Sequence, residues 1–94
     1  MSTSKVVGKP EMVPRWGPLE RILSGPEKCG DWMFMASHRI ESGEWVHTYK
    51  HGMSRKYLNI SDDDRTWEFD AGNNGYTEIP RQTALERAYG SHAC

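Results

Sequence analysis

The chain has few of the residues that usually build a hydrophobic core. Of its 94 residues only 14 are leucine, isoleucine, valine or phenylalanine, a share close to that of disordered segments. No apolar run approaches the roughly 20 residues of a membrane-spanning helix, and no short repeat suggests a collagen-like chain or a coiled coil. The two cysteines, Cys29 and Cys94, are too few for a disulfide-dense scaffold. We expect no bridge between them, because Cys94 lies where chains fray.

Aromatic residues and a balanced charge argue against disorder. Four tryptophans and four tyrosines supply the apolar area that the aliphatic residues lack, and a formal net charge of −1 causes little self-repulsion. A chain of this length predicts one domain. Residues 1–15 hold no apolar stretch of the kind found in a signal peptide, so we expect a cytoplasmic protein without attachment to a membrane.

Prolines, glycines and changes of hydrophobic period divide the chain into three regions. Residues 1–15 lack any period and contain two prolines, which predicts a flexible N-terminal arm. Residues 16–90 predict a single α+β domain, and residues 91–94 a C-terminal tail. Within the domain, apolar stripes predict a short helix after Gly17 and a second helix over residues 81–89.

Alternating apolar and polar residues between the two helices predict five strands. The strands cover residues 31–40, 45–51, 55–60, 65–70 and 76–79. Short turns join them, so neighbouring strands run antiparallel. The predicted fold class is therefore α+β, a five-stranded antiparallel β-meander with a short N-terminal helix and a C-terminal helix packed on one face.

The turns also predict the register of the strands. A two-residue turn at Ser42-Gly43 places His38 opposite His47, and a Gly52-Met53 turn places Tyr49 opposite Lys56. With the remaining turns, one sheet face collects most of the large apolar residues, and we expect the helices to cover it. These residues are Trp32, Phe34, Ile40, Trp45, Tyr49, Leu58, Ile60, Trp67, Phe69 and Ile79.

Histidines are the first candidate for chemistry. His38 and His47 are predicted cross-strand neighbours, and imidazole is the commonest ligand of transition metals. His51 lies too far along its strand to complete a site. Without a third ligand the pair more simply packs among aromatic residues, so we expect neither a metal nor another cofactor.

A basic stretch on strands two and three is the second candidate. Lys50 is predicted to lie opposite Arg55 on the outer sheet face, with Arg39, Lys56 and Tyr57 near it. Aromatic residues beside cations on an open sheet are typical of single-stranded RNA binding. The negative net charge opposes a general polyanion binder, and a solvated sheet face explains the same residues.

The charges and methionines of the outer face favour a protein partner. Residues 38–57 carry a net charge of +2 and residues 58–78 a net charge of −5, so we expect a basic-to-acidic gradient across the strands. Such a gradient suits a charge-complementary protein or a homodimer, formed through the sheet face or an edge strand. Met33 and Met35 are predicted to be exposed on the same face, where methionine adapts to varied partners.

Signatures of enzymes are absent from the sequence. The chain has no glycine-rich phosphate loop, no G-x-S-x-G and no H-E-x-x-H. We therefore expect a small non-catalytic protein-binding module of the adaptor or inhibitor type, a group that includes phage and mobile-element proteins. The binding residues would be Met33, Met35, Arg39, Lys50, Arg55, Lys56 and Tyr57. The alternative is a nucleic-acid-binding module that uses the basic stretch.

Overall fold

The computed structural model describes residues 3–23 and 32–90. They form six strands and two helices: β1 (Ser4–Glu11), α1 (Gly17–Ile22), β2 (Trp32–Ile40), β3 (Trp45–His51), β4 (Tyr57–Ser61), β5 (Thr66–Asp70), β6 (Gly75–Ile79) and α2 (Arg81–Tyr89). The antiparallel sheet and the C-terminal helix are confirmed. The expectations for Cys29, Cys94 and the tail 91–94 lie outside the described residues.

The sheet has one strand more than the sequence predicts. Strand β1 pairs with β2 on one side and with β6 on the other, so the six strands close into a barrel in chain order. Strand β1 thus occupies Ser4–Glu11, within the region 1–15 for which the sequence predicts a flexible arm. Its strand pattern is hidden because most of its side chains are exposed and a bulge between Val7 and Glu11 contains Gly8 and Pro10.

Closure of the barrel also removes the edge strands. Every described strand has a neighbour on each side, so no strand is left wholly unpaired for the expected homodimer through a sheet edge. None of the described helices is long and apolar enough to cross a membrane.

Loop length decides which face each side chain occupies. The Ile40 N–H donates to the Glu44 carbonyl, so the loop between β2 and β3 consists of the three residues 41–43 and not of the predicted two. Its third residue, Gly43, has a φ of 92°. Arg39, not Ile40, therefore lies opposite Trp45. A shift of one residue reverses the face of every side chain near the loop.

A bulge in β2 cancels this shift farther along the strand. Met35 is the extra residue, because Phe34 lies opposite Tyr49 whereas Ala36 lies opposite Thr48. Trp32 and Phe34 consequently keep the predicted face. Ile40 does not.

A second three-residue loop, between β4 and β5, has the same effect. The Ser61 N–H donates to the Arg65 carbonyl, so the loop consists of residues 62–64, and Asp64 in it has a φ of 66°. As a result, Ile60 lies opposite Thr66 instead of Trp67. The predicted single apolar face is therefore divided between two cores.

One core lies between the sheet and the helices. It contains Leu19, Ile22, Leu23, Tyr49, Leu58, Ile60, Ala84, Leu85, Ala88 and Tyr89, with Trp32, Phe34 and Ile79 packed against it. The other core lies inside the barrel and contains Ile40, Val46, Trp67 and Tyr76, with Val6 beside them. The face that the sequence leaves open to solvent is thus the one that curls inward to form the barrel interior.

Candidate binding site at the barrel mouth

A cavity of about 240 Å³ opens at one end of the barrel interior. It lies among Val6, His38, Thr48, Tyr57, Asn59, Phe69, Asn74 and Tyr76. We call it the barrel cavity. Its lining side chains come from all six strands and the loop before β6, so only the closed barrel assembles it.

A chain of hydrogen bonds runs through the wall of the barrel cavity. The Asn59 amide nitrogen donates to the Trp67 carbonyl oxygen over 3.2 Å, which fixes the amide oxygen toward Thr48. The Thr48 hydroxyl donates to that oxygen over 2.8 Å. The Tyr76 hydroxyl then contacts Thr48 Oγ1 at 3.4 Å and His38 Nδ1 at 3.1 Å.

Only one arrangement of protons makes all of these hydrogen bonds. Because Thr48 uses its proton on Asn59, Tyr76 must donate to Thr48. The Tyr76 oxygen can then only accept from His38 Nδ1–H. This tautomer leaves His38 Nε2 as an acceptor, and no partner of this nitrogen occurs among the described residues.

The lining of the barrel cavity carries no charge near neutral pH. Burial lowers the pKa of His38 from its ordinary value of 6.5, so the imidazole is neutral at pH 7. Burial raises the pKa of Tyr76, which keeps the phenol protonated.

His38 predicts a loss of stability in mild acid. Its pKa is 6.5 when unfolded and lower when folded, so the unfolded state binds more protons as the pH falls below 6.5. The free energy of unfolding should therefore decrease between pH 7.5 and pH 5. Urea titrations at both pH values should show a smaller decrease for His38→Phe than for the unsubstituted protein. Equal decreases in the two proteins would contradict the assignment.

The barrel wall is incomplete beside the cavity. Strands β4 and β5 pair only at Asn59 with Trp67 and at Ile60 with Thr66. The same register would bring Tyr57 opposite Phe69, but these residues do not pair. A groove of about 510 Å³ follows this gap toward α2, and it shares Tyr57, Asn59 and Phe69 with the barrel cavity.

Four side chains form a row across the open end of the barrel. Met33, Lys50 and Tyr57 are successive cross-strand neighbours on β2, β3 and β4, and Phe69 lies across the β4–β5 gap. Met33, Tyr57 and Phe69 are 47%, 50% and 47% exposed, and Lys50 Nζ lies 5.8 Å from the centre of the Tyr57 ring. We call these four the mouth residues.

The predicted binding residues are only partly brought together. Met33, Lys50 and Tyr57 are mouth residues, and Met35, exposed, is the bulge residue of β2. Arg39 lies on the outside of the barrel, on the opposite face of the sheet from the mouth residues, because the bulge at Met35 lies between Arg39 and Met33. The predicted pairing of Lys50 with Arg55 is wrong, since Lys50 lies opposite Tyr57.

The β3–β4 turn explains this second register error. The turn spans residues 52–55, longer than the predicted Gly52-Met53 turn, and closes with a bond from the His51 N–H to the Lys56 carbonyl. The positive φ of 61° falls on Arg55 rather than on Gly52. A shift of two residues keeps each side chain on its face but moves Arg55 and Lys56 into an exposed loop end.

Most of the acidic residues on the predicted acidic side already have basic partners. Arg65 contacts Glu44 at 2.5 Å, Asp63 at 2.7 Å and Glu78 at 3.0 Å. Arg21 pairs with Asp64, and Arg87 pairs with Glu68. Within the described part of the chain, Lys50, Arg55 and Lys56 have no such ion pair. The unpaired charge near the mouth is therefore mainly basic, three cations against the carboxylate of Asp70, which among the described residues accepts only from the Gly72 N–H and the Asn73 amide.

The two candidate metal ligands lie on opposite sides of the sheet. His47 lies opposite Ser37, and His38 lies opposite Val46, so the predicted His38–His47 pairing is wrong. The cause is the three-residue β2–β3 loop. No group of three possible metal ligands occurs among residues 3–23 and 32–90.

His47 instead joins a Ser–His–Asp arrangement that the sequence does not predict. Its Nδ1 lies 2.6 Å from Ser37 Oγ, and its Nε2 lies 2.7 Å from Asp62 Oδ1. Ser37 and His47 are 0% and 1% exposed, whereas the side chain of Asp62 is 64% exposed. A nucleophile must meet its substrate, so this buried serine suits a structural role.

Several residues of the candidate site escape sequence reasoning. Phe69 is predicted to be core but is half exposed, and Thr48, Asn59 and Tyr76 have no role in any motif. The one signal in the sequence is that Thr48 and Asn59 alternate with the core residues of their strands and so belong to the face that the helices leave uncovered. It gains meaning only when the sheet closes and that face becomes an interior.

Searches against protein-family models, curated proteins and solved structures find no match to this chain.

Proposed function

We propose that this chain is a small non-catalytic module that binds another protein through the mouth residues. The observation that supports this proposal is the row of mouth residues beside a cavity, in which Met33, Tyr57 and Phe69 are half-exposed. Aromatic residues and methionine are enriched at protein interfaces, and binding energy concentrates where such side chains surround a pocket. An adaptor or inhibitor acting in the cytoplasm is the expected class.

The charges near the mouth favour an acidic partner. Lys50 lies within the row of mouth residues, while Arg55 and Lys56 follow at the β3–β4 turn. Their charges are not offset by ion pairs within the described residues, so a partner carboxylate would meet an available cation. We therefore propose a partner segment that combines an apolar side chain with aspartate or glutamate.

Selection from a random peptide library tests this proposal. Peptides enriched on the immobilised protein should combine an apolar or aromatic residue with Asp or Glu. Their affinity, measured by fluorescence anisotropy, should fall about tenfold or more for Tyr57→Ser and for Phe69→Ser, because an aromatic hot spot contributes more than about 1.4 kcal/mol. Lys50→Glu should also weaken binding, and the loss of affinity should be larger at low salt than at high salt.

Two substitutions outside the mouth are matched controls. Val7→Ser replaces another exposed apolar residue, and Arg39→Glu reverses a cation on the outer side of β2. Both should leave the affinity within about twofold. Enrichment of basic peptides, or equal effects of Lys50→Glu and Arg39→Glu, would overturn the proposal. A concentration-dependent dimer lost in Met35→Asp would replace the foreign partner with a second copy of this chain.

Nucleic-acid binding is the alternative function, and the same unpaired cations support it. Lys50, Arg55 and Lys56 lie near Tyr57, but Arg39 is on the other side of the sheet. Three cations at one corner make a small phosphate-binding surface. Retardation of single-stranded RNA or DNA at low salt, abolished by Lys50→Glu with Arg55→Glu, would favour this alternative.

A further inference from the structure

We propose that the barrel cavity receives a donor-bearing aromatic side chain, tyrosine or tryptophan, from the bound partner. This inference rests on the proposed function and names the side chain that the partner inserts. It combines three properties of the cavity: its size, its aromatic entrance and the hydrogen-bonding state of His38.

The size of the barrel cavity suits one side chain. Pockets for drug-sized ligands and cofactors usually occupy about 300–1,000 Å³, whereas a cavity of roughly 150 Å³ already holds benzene. A volume of about 240 Å³ therefore accommodates one substituted ring. A dinucleotide would be too large for it.

The entrance of the cavity suits the face and edge of a ring. Tyr57 and Phe69 line the cavity from both sides of the β4–β5 gap, and Phe69 already lies edge-on to Tyr76 with 5.3 Å between ring centres. A ring between them would add further edge-to-face contacts. Tyr57 and Phe69 are each about half exposed, so insertion of a ring between them would remove apolar surface from water.

The wall of the cavity includes a hydrogen-bond acceptor, because His38 lines it. The directional chain from Asn59 through Thr48 and Tyr76 places the proton of His38 on Nδ1, so Nε2 presents a lone pair. Burial of this acceptor by a phenylalanine side chain would leave it without a partner, which is unfavourable. The phenol O–H of tyrosine and the indole N–H of tryptophan satisfy it. Phenylalanine and leucine do not.

Methylated fragments distinguish the contribution of the ring to the affinity from that of the hydrogen-bond donor. p-Cresol is compared with 4-methylanisole, and 3-methylindole with 1,3-dimethylindole, by NMR titration of the isotope-labelled protein. The unmethylated member of each pair should bind about fivefold more tightly, which corresponds to one neutral hydrogen bond. The largest shifts should fall on Tyr57, Phe69 and Tyr76.

Substitution of His38 tests the role of the acceptor. His38→Phe keeps a ring in the wall but removes Nε2, so each methylated pair should bind with equal affinity. Arg39→Ala, on the other side of the same strand, should retain the fivefold preference. If His38→Phe fails to fold, the methylated pairs on the unsubstituted protein still decide the proposal. Equal binding within each pair, absence of binding up to the solubility limit, or a preference that survives in folded His38→Phe would overturn it.

The selected peptides distinguish this inference from the proposed function. Replacement of the peptide's Tyr or Trp with Phe should weaken binding about fivefold or more in the unsubstituted protein. Peptides that need Tyr57 but tolerate this replacement would refute the inference and retain the protein-binding function. Fragments that bind with the donor preference while no peptide binds would refute both the partner side chain and the proposed function, and would indicate a free phenol or indole ligand.

Discussion

Replacing Gly75 with alanine is expected to destabilise the protein by about 2–3 kcal/mol, because the new methyl group has no room. A Cβ at this position would lie 2.5 Å from the Ser4 carbonyl oxygen and 3.0 Å from Lys5 Cα. Both atoms belong to the backbone of β1, which pairs with β6 only at Ser4 with Tyr76 and Lys5 with Gly75. Relief of the clash would therefore open the barrel where it closes.

Urea denaturation measures this effect, and Gly72→Ala provides a matched control. At Gly72 the nearest atom to an added Cβ is Asp70 Oδ1 at 3.4 Å, which is ordinary contact, and the residue does not require a positive φ. Gly72→Ala should therefore change the free energy of unfolding by less than about 1 kcal/mol. If the two alanine variants are equally stable, β1 does not close the barrel as described.

Tyr49→Ala is expected to cost about 4 kcal/mol, the larger of the two effects. Tyr49 is completely buried in the core between the sheet and the helices. Its ring lies 5.8 Å from the ring centres of both Trp16 and Phe34, and its hydroxyl donates to the Arg15 carbonyl. Truncation would leave a cavity and release the segment before α1. A domain of this size has about 5–14 kcal/mol of stability in total, so the variant should be close to unfolding.

Two further tyrosine variants separate the contributions to this loss. Tyr49→Phe keeps the ring and should lose about 1 kcal/mol with the hydrogen bond to Arg15. Tyr57→Ala removes a half-exposed tyrosine of the mouth and should cost less than about 1 kcal/mol. Thermal and urea unfolding should therefore show that Tyr57→Ala and Tyr49→Phe are both more stable than Tyr49→Ala. A Tyr49→Ala protein as stable as Tyr57→Ala would contradict the assigned core.

The predictable part of the fold follows from local patterns. The run 81–89 has an apolar stripe between Pro80 and Gly90, and the structure has α2 at Arg81–Tyr89. Alternation likewise locates β2 to β6. The errors come from the loops, because Gly43 and Asp64 each adopt a positive φ at the third loop position. Nothing in the sequence distinguishes these three-residue loops from two-residue or longer ones.

The candidate site shows the same division. Met33, Lys50 and Tyr57 are predicted on one sheet face, but only the register of β2, β3 and β4 in the structure places them side by side. Phe69 joins them only because the β4–β5 loop shifts Trp67 and Phe69 to the inner side of β5. The hydrogen-bond chain of His38 and Tyr76 links β2 with β6, which no short-range pattern connects.

Local patterns in the sequence are enough to predict an antiparallel sheet, a C-terminal helix and a core that relies on aromatic residues where aliphatic ones are scarce. These properties follow from periodicity, turn residues and composition, which act over a few neighbours in the chain. Closure of the sheet depends on long-range contacts, because both partners of β1 lie far along the chain and β1 has little amphipathic pattern of its own. Closure makes the predicted open face an interior, so the surface proposed for binding is a mouth with a cavity and not a flat sheet.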